Sequence, residues 1–302
     1  MKNGIGFLLI ITVVIVGAAV SCQHLMAIAD IGAQVAGATG LIDRNTADAI
    51  SVSSRAIGSA AEEITPEQEY YIGRAVAANI LTNYRIWNGS PAMTAYLNSI
   101  CAAITINSPR PDVFNGYHVA ILDSNEINAF ATSGGHIFVT RGLINVAKSE
   151  DALAGVIAHE IAHIQLQHSI KAIRTSRITQ ALMVTGVSAA GAATGMSVNE
   201  LTGVFSESVG EIVSTLVNNG YSQVQEFDAD NTAMSLLASA GYSPSGLIDM
   251  LRELSAVQTG SAGFGKTHPS PSQRITNAEK TVGNYRVTDT RSYRQERFTL
   301  AR

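Results

Sequence analysis

The pentapeptide His-Glu-Ile-Ala-His at His159–His163 lies in a segment whose apolar residues recur with helical spacing. Ser149 is a favourable N-cap for the start of this helix. Each residue of a helix turns by about 100°, so His163 lies about 40° round from His159, and Glu160 lies about 100° round. All three side chains therefore share one sector of the helix. Two imidazoles one turn apart can bind one zinc ion, and the glutamate beside them can act as a base.

The surroundings of the motif indicate that this helix is buried. Ile157, Ala158 and Ile161 are apolar, and a buried cluster of His and Glu side chains needs a partner that offsets its desolvation. We expect the helix to continue to about Lys171. Such a helix places His168 about half a turn away from the first histidine, so we exclude His168 as a ligand.

A catalytic zinc takes three protein ligands and keeps its fourth position open. Candidates for the third ligand lie in Glu226-Phe227-Asp228-Ala229-Asp230, on a helix predicted to start at Ser222. Glu226 and Asp230 are four residues apart and share a face, whereas Asp228 points about 200° away from Glu226 and is expected to be solvated. One of the two carboxylates can bind the metal while the other supports a ligand imidazole. Spacing alone leaves open which does which.

The N-terminus indicates export from the cytoplasm. Ile5–Val20 carries no charge, and its length lies between that of a signal peptide and that of a membrane span. Small residues in Ala19-Val20-Ser21 precede Cys22, a pattern that resembles a bacterial lipobox. We therefore expect residues 1–21 to be a signal peptide and Cys22 to be lipidated, with a retained N-terminal anchor as the alternative. Cys101 is then expected to be a buried apolar residue.

Composition excludes several classes of protein. A net charge of −4 and a pI near 6.0 give no basic footprint, so we expect no nucleic-acid partner. Two cysteines exclude a disulfide framework. With 46% hydrophobic and 15% charged residues, the chain is not intrinsically disordered.

Along the rest of the chain we predict an α+β fold, mainly helical, with a small sheet. Helix-capping patterns begin at Thr65, Ser90, Ser222, Ser243 and Ser270. Tyr117–Leu122 and His136–Thr140 are predicted strands, and Gly134-Gly135 is a predicted hairpin turn. We expect two helices in Ile178–Val217.

The predicted domains are a helical linker at 22–65, a main domain at 66–285 and a C-terminal tail at 286–302. The tail has five arginines against two carboxylates. We expect it to be solvated, with contact to anionic lipid headgroups as the alternative.

Three motifs together resemble the HtpX and CAAX-prenyl-protease type of zinc metallopeptidase, a gluzincin family. They are His159–His163, the run Glu226–Asp230, and His268-Pro269 followed by Arg274. Asn128–Leu143 is similar to the family's segment before the active-site helix. The resemblance implies a zincin-like catalytic domain with its sheet beside the motif helix. It also implies one Zn²⁺ with Glu226 as third ligand, Asp230 beside it, His268 facing the substrate oxyanion and Arg274 bracing the site.

The resemblance implies a zinc endopeptidase, and the absence of clear multiple spans makes the chain more similar to the periplasmic lipoprotein branch. We expect it to be lipid-anchored, to face the periplasm and to degrade misfolded or damaged envelope proteins. Gln23 favours the outer membrane, because an aspartate after the lipidated cysteine often retains such proteins at the inner membrane. His136–Thr140 could bind unfolded substrate by strand addition if it is an edge strand; otherwise it is an interior strand.

The alternative function is a lipoprotein chaperone or assembly factor for outer-membrane proteins that cleaves little. The intact Glu160 favours the enzyme.

Overall fold

The computed structural model describes residues 22–48, 50–51, 64–171, 210, 212–214, 220–257, 267–268 and 270–302. The chain divides into one unit of Met1–Glu63 and Ala172–Gly203 and a second unit of Ile64–Lys171 and Val204–Arg302. The predicted signal peptide and nearly all of the predicted helices in 178–217 lie outside the described residues. In the first unit, helix α1 spans Cys22–Ala38. Among the described residues, no helix has the length and apolarity needed to cross a bilayer.

The second unit contains α-helices and three strands among its described residues. In chain order they are α2 (Pro66–Asn83), α3 (Pro91–Thr105), β1 (His118–Leu122), β2 (Ala129–Thr132), β3 (His136–Thr140), α4 (Arg141–Val146), α5 (Glu150–Gln165), α6 (Gln223–Ser239), α7 (Ser245–Val257), α8 (Pro271–Glu279) and α9 (Arg291–Ala301). Thr65 and Ser222 form complete capping boxes with Gln68 and Gln225, as predicted. The mainly helical unit with one small sheet confirms the predicted α+β class.

The three strands form a sheet in the order β1-β3-β2. β3 runs parallel to β1, with His118 opposite His136, and antiparallel to β2, with Ala129 opposite Val139. Gly134 and Gly135 have φ of 80° and 97° in the predicted hairpin turn, a backbone region that favours glycine.

The prediction that β3 could be an edge strand is wrong, because β1 and β2 pair with it on both sides. The interior alternative for β3 is correct. β2 is an outer strand of this sheet.

Helix α5 carries the His-Glu-x-x-His motif through the centre of the unit. It packs against α3, α6, α7, α9 and β2, and every residue from Glu150 to Ile164 is buried. Glycines permit the close approach of α5 and α7: a Cβ on Gly155 would lie 2.8 Å from the backbone of Leu247. The side chains that α5 contributes to the site are therefore buried and closely packed.

The helix is shorter than predicted. It ends at Gln165 in a turn where Gln167 adopts a φ of 55°, and the chain is helical again at 168–171. Left-handed backbone at a residue other than glycine, asparagine or aspartate is uncommon, so no turn residue signals this end in the sequence.

The tail after Tyr285 is mostly exposed, as predicted, but one face of it is buried. Residues Arg291–Ala301 form α9, which packs on α3 and α5 with Phe298 only 4% exposed. Arg294 pairs with Asp151 at 2.9 Å, and Arg297 forms an ion pair with Glu150. Both acids lie in the first turn of α5, so α9 holds the start of the motif helix.

Candidate metal centre

Four buried side chains converge beside α5. One nitrogen or oxygen atom from each of His159, His163, Glu226 and His268 lies within 4.8 Å of the corresponding atoms of the others. The Nε2 atoms of the two α5 histidines are 3.1 Å apart. The two carboxylate oxygens of Glu226 lie 3.4 Å from those nitrogens, one oxygen to each. Helical spacing aligns the two histidines, and α6, which packs against α5, supplies the glutamate from its first turn.

The donor set fits a metal ion. Two imidazoles and a carboxylate are ligands that suit zinc in peptidases. Glu160 is 2% exposed, and its Oε1 accepts no hydrogen bond from any described residue. An orphaned buried carboxylate oxygen beside converging donor atoms is expected where an ion and a substrate complete the site.

Asp230 and Arg274 support this cluster from one side. The Asp230 carboxylate lies 2.9 Å from His159 Nδ1 and accepts a 2.8 Å hydrogen bond from Arg274 Nε. Arg274 is 1% exposed, and its Nη1 lies 3.2 Å from Glu226. The structure thus places Asp230 and Arg274 beside the residues that the resemblance assigned as ligands.

His268 approaches from the segment before α8. Its Nδ1 lies 2.9 Å from both Glu226 oxygens, and its Nε2 lies 4.0 Å from Glu160 Oε1. This position puts His268 inside the cluster, so the geometry allows a ligand as well as an oxyanion donor. Gly220 permits the approach, because a Cβ there would lie 2.2 Å from the carbonyl oxygen of Thr267.

Burial and charge set the protonation of the metal-free site. Burial raises the pKa of Glu160 and lowers the pKa of His163 to about 3. Burial also lowers the pKa of His159, but Asp230 and Glu226 outweigh burial and raise it to about 9. Against the effect of burial, Arg274 lowers the pKa of Asp230 to about 2. The site therefore holds an ionised carboxylate, an imidazolium and a neutral imidazole within a few ångströms.

Sequence reasoning missed two neighbours of His163. His168, which we excluded as a ligand, is absent from the donor cluster, but its Nδ1 lies 2.8 Å from His163 Nδ1 because the helix is interrupted by a turn at Gln167. The ring of Tyr221 stacks on that of His163, with centroids 4.2 Å apart and 17° between planes. Gly220, with a φ of 72°, is the one sequence signal for the turn that places Tyr221. Asp228 is exposed, as predicted.

A helix-borne His-Glu-x-x-His motif, a glutamate from a later helix and a small sheet beside them define a metallopeptidase of the gluzincin class. Residues 91–282 also match the sequence profile of peptidase family M48. The chain therefore belongs to peptidase family M48 and is a metalloendopeptidase, which confirms the resemblance to the HtpX type.

Curated proteins similar to this chain include several named metalloproteases. Metalloprotease LoiP of Escherichia coli is 29% identical over 61% of this chain and 70% of its own length. The beta-barrel assembly-enhancing protease of Escherichia coli is 25% identical over 78% of this chain and 46% of its own length. The mitochondrial metalloendopeptidase OMA1 of Schizosaccharomyces pombe is 30% identical over 62% of this chain and 52% of its own length. The chain thus spans about half the length of two of these relatives.

Proposed function

We propose that this chain is a zinc-dependent endopeptidase of the bacterial cell envelope that degrades misfolded or damaged envelope proteins. The observation that carries the proposal is the buried donor set of His159, His163 and Glu226 beside a Glu160 carboxylate oxygen that accepts no hydrogen bond from the described residues. One zinc ion would be held by the first three residues. When bound in such a site, zinc polarises a carbonyl group and acidifies water.

Glu160 is the residue that moves protons in this proposal. Burial raises its pKa, which brings the carboxyl group closer to the range where it can both accept and donate a proton. It accepts a proton from the attacking water and later passes this proton to the leaving amine. Since Glu160 Oε1 accepts no hydrogen bond from the described residues, this oxygen is available to both groups.

His268 is proposed to donate a hydrogen bond to the substrate oxyanion. A ligand role would add a fourth protein ligand and close the site to water. Loss of one oxyanion donor typically costs about 10²–10³ in kcat. His268→Phe should therefore retain its zinc and an unchanged KM, while its kcat should be lower by about tens of times or more. Loss of zinc from this variant would make His268 a ligand, and an unchanged kcat would exclude both roles.

The proposed substrates are unfolded or extended polypeptides. An extended chain can pair with the free side of an outer strand and be read through its backbone, with little dependence on sequence. β3 is enclosed, so strand addition would have to use an outer strand of the sheet, β1 or β2. The relatives named as proteases support a polypeptide substrate.

The proposed location is the periplasmic face of the envelope, with Cys22 lipidated and the outer membrane favoured over the inner. The lipobox-like residues before Cys22 support this. Several acyl chains anchor a protein stably, whereas one gives only marginal binding. Labelling with a palmitate analogue should mark the wild type but not Cys22→Ser. An unlabelled, unprocessed wild type that still fractionates with membranes would show a retained membrane span instead.

The experiment that tests the activity is cleavage of unfolded casein by the purified full chain in detergent, with and without a chelator. We expect fragments that disappear with chelator and return with zinc. Glu160→Gln is the matched control, because it should bind zinc like the wild type and cleave nothing. Suppressed casein aggregation without fragments in the zinc-loaded wild type would instead support the chaperone or assembly-factor function.

A further inference from the structure

His163 is contacted on two sides by different kinds of group. Its Nε2 faces the donor cluster, 3.4 Å from Glu226, whereas its Nδ1 faces His168 Nδ1 at 2.8 Å. His168 is 3% exposed, so water does not compete freely for this contact. The two imidazole rings are inclined by 70°, with centroids 4.9 Å apart, so one nitrogen of each ring is directed at the other rather than the ring faces stacking.

Contacts of the turn after α5 hold His168 in this position. Gln167, at its left-handed φ of 55°, donates a side-chain hydrogen bond to Glu69 on α2. Glu69 is 2% exposed and also pairs with Arg110 at 2.9 Å. Arg110 in turn donates to the carbonyl oxygen of Ile164, in the last turn of α5, at 3.3 Å. A buried carboxylate thus fixes both the end of the motif helix and the residue before His168.

We infer that His168 is a positioning residue that fixes the tautomer and orientation of the metal ligand His163. Binding a metal through Nε2 leaves the proton of His163 on Nδ1. This N–H must then donate to His168 Nδ1, which leaves the His168 proton on its own Nε2. The inference rests on the proposed zinc site, because without a metal either tautomer would satisfy the contact.

The two α5 ligands are therefore oriented by different partners. The ring of His159 is oriented by the carboxylate of Asp230, and a carboxylate is a common partner of ligand histidines. A second carboxylate behind His163 would add negative charge to a dry site that already holds Glu160, Glu226 and Asp230. A neutral imidazole accepts the same hydrogen bond without that charge.

Zinc affinity of the full chain, measured by competition with a chromophoric chelator, tests the role. Loss of such an outer partner typically weakens metal binding by about 10–100-fold, so His168→Phe should fall in that range. His168→Asn retains a side-chain acceptor close to the backbone and should recover most of the loss. His118→Phe is the control, because His118 is an exposed histidine on β1 and should bind zinc like the wild type.

Nitrogen-15 NMR of the zinc-loaded wild type provides a second readout that does not depend on any variant folding. We expect a proton on Nδ1 of His163 and on Nε2 of His168. Equal zinc affinity of folded His168→Phe and wild type, or a proton on His168 Nδ1, would overturn the positioning role. A wild type that binds no zinc would instead overturn the proposed function itself.

Discussion

Asp230 contacts two side chains of the metal centre through its carboxylate group. Oδ1 lies 2.9 Å from His159 Nδ1 and 2.5 Å from Arg274 Nη2, and Oδ2 accepts from Arg274 Nε at 2.8 Å. The bidentate pair fixes the carboxylate plane, and the carboxylate fixes the imidazole. His159 Nε2 is consequently directed toward Glu226 and the rest of the donor cluster.

Arg274→Met should destabilise the protein strongly, because it leaves the carboxylates of Asp230 and Glu226 buried without their guanidinium partner. Breaking a buried pair from one side costs about 3–5 kcal/mol. Arg252→Met is the matched control: the Arg252 side chain is 56% exposed and pairs with Asp249 and Glu279 at the surface. Its loss should cost no more than about 1 kcal/mol. Urea unfolding of both variants measures the difference, and equal costs would contradict the bracing role.

Zinc binding should release about one proton near pH 7, and that proton should come from His159. In the metal-free protein the carboxylates of Asp230 and Glu226 raise the pKa of His159 to about 9 against burial, so its ring is protonated at neutral pH. A ligand imidazole must be neutral. Burial lowers the pKa of His163 to about 3, so this ring releases none. Zinc affinity should therefore rise about tenfold per pH unit through neutral pH and level off above pH 9.

Isothermal titration in two buffers with different ionisation enthalpies counts the released protons. Asp230→Asn removes one of the carboxylates that raise the pKa of His159, so this variant should release fewer protons at pH 7. A release close to zero in the wild type would contradict an imidazolium at His159.

At the scale of helices and strands, local spacing predicted the parts of the site that share one helix. The 3.6-residue repeat brings Glu226 and Asp230 to one face of α6 and the motif histidines to one face of α5. Spacing along one helix carries no information about where a second helix lies. The relation of Arg274 to Asp230 therefore came from the family resemblance and not from periodicity.

Other misjudged features have physical reasons that local patterns do not contain. Gln167 takes a left-handed backbone without glycine, stabilised by its contact with Glu69 on another helix. The strand order of the sheet depends on which strands pair, so β3 could not be placed in the middle from its own residues. The basic composition of the segment that forms α9 suggests a solvated tail, because the sequence does not show that Glu150 and Asp151 are its ion-pair partners.

Phe298→Ala should show that α9 is part of the folded unit. Phe298 is 4% exposed against α3 and α5, and truncating a buried phenylalanine costs about 3–5 kcal/mol. Leu300→Ala is the control on the same helix, because Leu300 is 81% exposed and its loss should stay within about 0.5 kcal/mol. Chemical unfolding of both variants provides the comparison. Two equally small effects would return this segment to the solvated tail that its composition suggests.

Across the whole catalytic unit, the donor atoms come from elements far apart in sequence. The histidines lie on α5, the glutamate on α6, and His268 in the segment before α8. A bound ion would join α5 to α6 directly, and these two helices lie on either side of residues 172–203 in the sequence. An ion that binds only the folded state should consequently stabilise the unit as a whole.

Removal of the metal should lower the melting temperature by about 8–16 °C. At a free zinc concentration about 1,000 times Kd, binding adds about 4.1 kcal/mol of stability. For a domain of about 150–250 residues, each kcal/mol shifts Tm by about 2–4 °C. Calorimetric scans of the full chain with zinc and with excess chelator measure the shift.

Glu160→Gln should keep the full shift because the base is not a ligand, whereas Glu226→Ala should lose most of it. The assigned roles would be contradicted if the chelator left the wild-type Tm unchanged. They would also be contradicted if the shift were lost in Glu160→Gln and kept in Glu226→Ala.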